Sequence, residues 1–417
     1  MGINKKYDNY KAYGYLAEDD FKRYKMAKQI DRVKEYLIPL SKEEEERVVR
    51  LAKDNIFISL HEHPTCLPED LNEIFEYTRV GRDHCAYEGL SKSYYDAVFD
   101  NMFDGTCTIT SANGWKWDEI LFDLGMRLCD IAHQDMLIRC EKVEDIYRAH
   151  KEGKIAWVAS IEGSAPIENE LDRIDILYGF GVRLMGITYS ESNALGSGLK
   201  EERDGGLTYF GRQAVRRMNK VGMAIDCSHT GYKTSLDVID ESEHPIFLTH
   251  VGARGLWDSK RLSPDEVLKA CAARGGVIGI EAAPHTTLTK NHPEHSIDSY
   301  MEHFKYIVDL VGIEHVAFGP DTLYGDHVGL HDVFSKQLST KNTQAKQEFG
   351  KVEYVKGMEN PTESSKNILR YLVKENYSDE EIEKINFKKK LEDEKLCKTY
   401  LGIGFQVYFI TQGILAC

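Results

Sequence analysis

The chain has 417 residues, 42% of them hydrophobic and 29% charged, which is enough apolar surface for one large core and excludes global disorder. Its 68 acidic against 53 basic side chains leave a formal net charge of −15, a field that repels phosphate backbones and anionic lipid, so neither nucleic acid nor membrane is an expected partner. The nine cysteines are scattered, with no Cys-x-x-Cys pair, and read as reduced thiols. The opening MGINKKYDNYKAYGYLAEDD has no apolar core of a secretory signal, Lys6 stands where a myristoylation signal beginning at Gly2 requires Ser or Thr, and no stretch approaches the roughly 20 apolar residues of a membrane span. The expected location is cytoplasmic.

Residues 1–53 are polar and helix-prone and predict a helical N-terminal extension, with Ser41 as N-cap ahead of an acidic first turn. From there to residue 385, short runs rich in β-branched and apolar residues alternate with amphipathic stretches, the pattern of repeated βα units. Eight runs are counted: IFISLHEH (56–63), TCTITSA (106–112), IAWVASIEG (155–163), VRLMGITYS (182–190), MAIDCSH (223–229), PIFLTHV (245–251), GVIGIEA (276–282) and HVAFGPD (315–321). Eight parallel strands predict an α/β fold of the TIM-type (β/α)8 barrel class over residues 54–385. The longest excursion, 64–105, is expected over the barrel mouth as a lid or specificity loop. The tail 386–417 ends in the apolar TYLGIGFQVYFITQGILAC, too rich in Gln, Thr and Gly for a span, and is given no fold.

The informative feature is positional. His61, His63, Glu162, His229, His250 and Asp321 all fall at the C-terminal ends of predicted strands, the catalytic face of such barrels. A His-x-His pair on a strand sends both imidazoles to the same side, because the strand period is two. Any one of these residues alone is an ordinary core or capping residue. Together they would bury ionisable groups side by side at a cost of several kcal/mol unless a cation compensates. Imidazole with bridging carboxylate suits two Zn2+ ions first, and manganese, cobalt or iron next. The expectation is His61 and His63 on one metal, His229 and His250 on the other, Glu162 bridging, and Asp321 orienting or deprotonating a water that becomes the nucleophile. The remaining histidines are read as structural.

With those residues placed, the chain resembles the membrane (renal) dipeptidase family of the amidohydrolase superfamily over roughly residues 42–385. The resemblance is carried by SIEG (160–163), GGLTYFGRQAVRRMNKVGMAIDCSH (205–229), LTHVGAR (248–254), RLSPDE (261–266), ARGGVIGI (273–280) and VDLVGIEHVAFGPD (308–321). It implies a binuclear zinc peptidase acting on a dipeptide-like small molecule, with Glu162 bridging, Asp321 as catalytic acid or base, Arg261 taking the substrate's C-terminal carboxylate, and a homodimer as the assembly to test for. Three departures stand out: Ser59-Leu60-His61-Glu62-His63 puts a His where the family has a carboxylate ligand, Thr188-Tyr189-Ser190 puts Tyr189 where it has a substrate-contacting His, and the tail lacks the family's Gly-rich ending. Tyr189 can still donate to a developing oxyanion. The expected function is dipeptide or small-amide hydrolysis. The alternatives are hydrolysis of a lactone, carbamate or phosphoester at the same centre, and a barrel that has lost chemistry and binds a partner.

Overall fold

A computed structural model describes residues 5–80, 82–101, 116–284, 286–337 and 353–385. Within them the alternating pattern becomes eight parallel strands, β1 (Ile58–Cys66), β2 (Ala97–Asn101), β3 (Ile155–Ile161), β4 (Val182–Gly186), β5 (Ala224–Asp226), β6 (Phe247–Val251), β7 (Val277–Ile280) and β8 (Val316–Phe318), each paired with the next. The ring closes where the chain after β8 meets β1: Asp321 N donates to His61 O and His63 N to Thr322 O, both at 3.2 Å, and the short strand Leu323–Tyr324 pairs in parallel with β1. Leu60, Phe99, Val158, Leu184, Phe247 and Ala317 fill the interior, and a second, larger apolar layer lies between the strands and their helices. Burying each large side chain contributes about 1.5–3 kcal/mol. Among the described residues no helix is long and apolar enough to cross a membrane.

Two of the strands that carry the predicted histidines break the period-two rule near the site. Relative to β2, β1 carries one extra residue between Ser59 and Glu62, which pair with Val98 and Asp100. This bulge lets Leu60 face the interior while His61 and His63 also turn to the barrel axis. In β6, Leu248 and Val251 pair with Ile278 and Ile280, again one residue in excess, and both join the outer layer, so Thr249 and His250 are left to the inside. The Thr249 carbonyl then faces Gly279 of β7 and, beyond it, Gly319 after β8. A Cβ at Gly279 or Gly319 would lie 1.9 or 2.1 Å from that oxygen, so only glycine admits the bulge at these two places.

The structure corrects the second predicted strand. The run 106–112 lies outside the described residues, and both β1 and β3 pair directly with Ala97–Asn101, which takes the second place in the ring. That segment lies within the 64–105 excursion expected over the barrel mouth. The rest of 64–105 carries a helix at Ile74–Val80, a second at Tyr87–Ser91, and a two-residue strand, His84–Cys85, antiparallel to the end of β1.

The helical N-terminal extension is also corrected. Helix α1 spans only Lys42–Asp54, capped by Ser41 as expected, and residues 5–40 contain no helix. Their backbone donors are satisfied by side chains from elsewhere: Tyr13 N by Asp130, Arg32 N and Val33 N by Asn360, Tyr36 N by Glu363, and Ile38 N by Asn367. Those partners replace the i−4 carbonyls that a helix would use. The tail 386–417 lies outside the described residues.

Candidate metal centre

Each donor reaches the mouth by a distinct local route. His61 and His63 come from the bulged end of β1, and His250 from the bulge of β6. Glu162 follows β3 with its alternation unbroken, in line with Ala156 and Val158 of the interior cluster. His229 sits in the turn after β5, and Asp321 follows β8 in the left-handed region at φ +59°. Cys227 packs in the outer layer.

All six predicted residues converge. His63 Nε2 lies 2.9 Å and His61 Nε2 3.4 Å from Asp321 Oδ1. Glu162 Oε1 lies 2.8 Å from His229 Nε2, 3.1 Å from His250 Nε2 and 3.7 Å from His61 Nε2. Facing Nε2 atoms are 3.1 Å apart for His61 and His63, and 3.0 Å for His229 and His250. Three overlapping donor sets result: His61, His63 and Glu162; His61, His250 and Asp321; Glu162, His229 and His250. Within each set the ligand atoms lie within 4.8 Å of one another. All six side chains are buried.

The outer nitrogens of the same rings are held by polar groups. Nδ1 of His61 lies 2.7 Å from the Asn101 side-chain nitrogen Nδ2, and Nδ1 of His63 3.1 Å from the Asn101 backbone carbonyl. Nδ1 of His229 lies 2.9 Å from Ser190 Oγ, and Nδ1 of His250 2.8 Å from Thr249 Oγ1. Once the Asn101 amide is turned so that Oδ1 faces His61, each Nδ1 proton can be given to an oxygen and four Nε2 lone pairs point into one space, the arrangement of metal-ligating histidines with their outer partners. Without a cation those lone pairs repel one another. The residues therefore fit a divalent metal or a close pair of them.

The electrostatics agree with that donor state. Burial, reinforced by His63 and Arg261 and opposed by Asp321, brings His61 down to about 4; burial and the Arg261 charge hold His229 well below its usual range, and burial with His61 and Arg261 does the same for His250. All three imidazoles are neutral at neutral pH, the state that metal binding requires. Without a cation the two β1 rings can instead carry the proton on Nε2: burial works to raise the Asp321 carboxyl, but hydrogen bonds donated by His61 and His63 Nε2 outweigh it and keep the group an anion.

Arg261 and Tyr189, the predicted substrate contacts, border the centre. The Tyr189 ring stacks on His229 with centroids 4.4 Å apart. Arg261 donates from Nη1 to Ser228 O at 3.3 Å and from Nη2 to His250 O at 3.1 Å, lacing the ends of β5 and β6 together. Its Nη2 is also 2.5 Å from Glu281 Oε2, within a pair that is almost wholly buried. Sequence reasoning passed over Asn101, Thr249, Ser190 and Glu281. Glu281 was within reach, since it follows β7 where the strand-end rule applies. Asn101 ends AVFDN, an apolar run left uncounted.

Residues 45–342 match the sequence profile of membrane dipeptidase, peptidase family M19. Among curated proteins, Dipeptidase tcpJ of Claviceps purpurea is 27% identical over 265 residues, 60% of this chain and 62% of that one. An amidohydrolase from Pseudomonas aeruginosa superposes with a TM-score of 0.69 at 24% identity, over 85% of this chain and 99% of its own. A Rhodobacter sphaeroides metallo peptidase, solved with a phosphinate mimic of the dipeptide L-Ala-D-Ala, gives 0.61 at 17%, over 83% and 100%. The chain spans less than two thirds of the curated relative's length, but the family profile covers well over half of the chain: it belongs to the membrane dipeptidase family, M19.

Proposed function

We propose that this chain is a binuclear metal-dependent hydrolase that cleaves dipeptides or similarly small amides, with zinc as the working metal. The observation that carries it is the set of three overlapping donor groups sharing His61, His250 and Glu162, which is more ligand than one ion needs. When bound, a pair of divalent cations would supply Lewis acidity toward the scissile carbonyl and lower the pKa of a nearby water.

The protein's own contribution is orientation and proton handling. His61 and His63 would hold one ion, His229 and His250 the other, with Glu162 between them. Asp321, kept ionised by its two imidazoles, faces the same space and serves as the general base or as a further ligand. Tyr189 stands beside His229 with a phenol able to donate to a developing oxyanion. A lactone, carbamate or phosphoester is the second reading, favoured by His63 in place of a carboxylate and by Tyr189 in place of an imidazole. Side-by-side assay of esters, lactones and dipeptides separates the two.

The test combines metal analysis with a dipeptide panel. About two equivalents of zinc per chain are expected, with hydrolysis abolished by chelator and lowered at least ~100-fold by Asp321→Asn. A protein carrying its full metal complement but inert toward every amide, ester and lactone would overturn the hydrolase reading. Retention of less than one equivalent in zinc-containing buffer would instead favour a binding barrel.

A further inference from the structure

The family resemblance gives Arg261 the substrate's terminal carboxylate, yet in this structure a carboxylate of the chain already occupies that guanidinium. Glu281 follows β7 and is fully buried, with Oε2 at 2.5 Å from Arg261 Nη2. It is fastened there. Its backbone N–H donates to Val251 O at 3.0 Å, and Oε1 accepts from Thr286 Oγ1 at 2.9 Å. Both terminal nitrogens of Arg261 are further committed to the carbonyls of Ser228 and His250. Recognition of a free carboxylate by arginine draws its strength from two parallel N–H donors and an uncompensated positive charge. Here the charge is compensated and donors on both terminal nitrogens are in use. An incoming carboxylate would also meet the Glu281 carboxylate itself, and like charges brought together without water are strongly disfavoured.

We propose that Glu281 determines specificity by standing in for the substrate carboxylate at Arg261, so that this site selects small amides whose far end is neutral, such as a terminal amide or ester, over those ending in a free carboxylate. The catalytic part of this proposal rests on the hydrolase reading above. The binding part does not. A neutral carbonyl needs only one remaining donor and adds no charge, so it reaches the rim without displacing Glu281.

The experiment uses a matched pair, Ala-Ala and its C-terminal amide, with the zinc-loaded wild type, Glu281→Gln, Glu281→Asp and the double variant Arg261→Met/Glu281→Gln. Glu281→Gln is expected to raise the ratio of kcat/KM for the free acid over the amide at least ~10-fold, chiefly through KM. Glu281→Asp keeps the charge and should stay near the wild-type ratio, and the double variant should lose the gain. A ratio that is unchanged, or that falls as it would if Glu281 merely held Arg261 in place, overturns the proposal. Calorimetric binding of N-acetylalanine and N-acetylalaninamide provides the second arm. Tighter binding of the acid alone by Glu281→Gln supports the proposal even if no form cleaves a peptide bond, in which case the hydrolase reading fails separately. Equal binding of both ligands by both proteins overturns it.

Discussion

Replacing Asn101 by leucine isolates one contact of the proposed metal centre. The side chain is buried, and its amide lies 2.7 Å from His61 Nδ1, while the Asn101 carbonyl that serves His63 Nδ1 at 3.1 Å belongs to the backbone and survives the substitution. A metal on His61 Nε2 requires the proton on Nδ1, and the amide accepts it by turning Oδ1 toward the ring. Leucine conserves volume but leaves that N–H buried and unpaired, a penalty of about 1–3 kcal/mol. Outer partners of metal-ligating histidines typically contribute 10- to 100-fold in affinity, about 1.4–2.7 kcal/mol, and the two figures overlap. Zinc affinity of the first-strand ion should therefore fall ~10- to 100-fold in Asn101→Leu and recover in Asn101→Asp, which restores an acceptor. Competition against a chromophoric chelator measures the affinity, and the visible band of the cobalt form reports the geometry. A folded Asn101→Leu protein that binds both ions as tightly as the wild type would show that Asn101 does not orient His61.

Two further substitutions probe the frame of the site. Gly319→Ala would place a Cβ 2.1 Å from the Thr249 carbonyl and 3.1 Å from the His61 Cβ, backbone contacts that cannot swing away, so a loss of more than ~3 kcal/mol in urea unfolding is expected; stability within 1 kcal/mol of wild type would refute the packing argument. Glu62 is fully buried between the two β1 histidines, and burial, against hydrogen bonds from Thr322 and Ser59, pushes its carboxyl up to about 7. A carboxyl raised in the folded state binds its proton more tightly there, so its stabilising effect is complete below the unfolded value near 4.5 and is lost as pH rises through about 7. Unfolding of the metal-free protein at pH 5 and pH 8 should show Glu62→Gln gaining on wild type by about 2–3 kcal/mol across that interval. A pH-independent difference would place the Glu62 ionisation elsewhere.

The barrel was legible because seven of its eight strands are runs that hydrophobic patterning exposes, and six site residues were legible because barrel strands end at one rim. β2 was missed for a physical reason: Ala97–Asn101 is five residues long, buried, and flanked by the aromatic and polar residues of a mouth excursion, so it shows neither alternation nor length. The N-terminal stretch was misread because helix propensity is a weak prior, and here side-chain acceptors from distant elements claim its amides. His61 and His63 were correctly set on one face relative to each other. Their phase against Ile58 and Leu60 was not readable, since a bulge is created by pairing with a neighbour and leaves no mark in its own strand.

That failure of phase is informative in itself. A regular strand ending above Leu60 would send Glu62 to the axis and both histidines outward, giving a rim with one more carboxylate and two fewer imidazoles. The bulge inverts this choice, burying Glu62 among Ser59 and Thr322 and handing the centre its first donor pair. The same device in β6 delivers His250 with Thr249 beside it as the acceptor for its Nδ1. Asp321 and Ser190, which supply a carboxylate to β1 and an anchor to His229, both lie at positive φ, a conformation that costs about 1–3 kcal/mol for a residue with a side chain. Departures from regular geometry thus coincide with the donor set at three of its four sources outside β3. Only Glu162 arrives by unbroken alternation, and it is the residue that touches His61, His229 and His250 alike. The regular strand fixes the shared carboxylate, and the irregular ones bring the imidazoles to it.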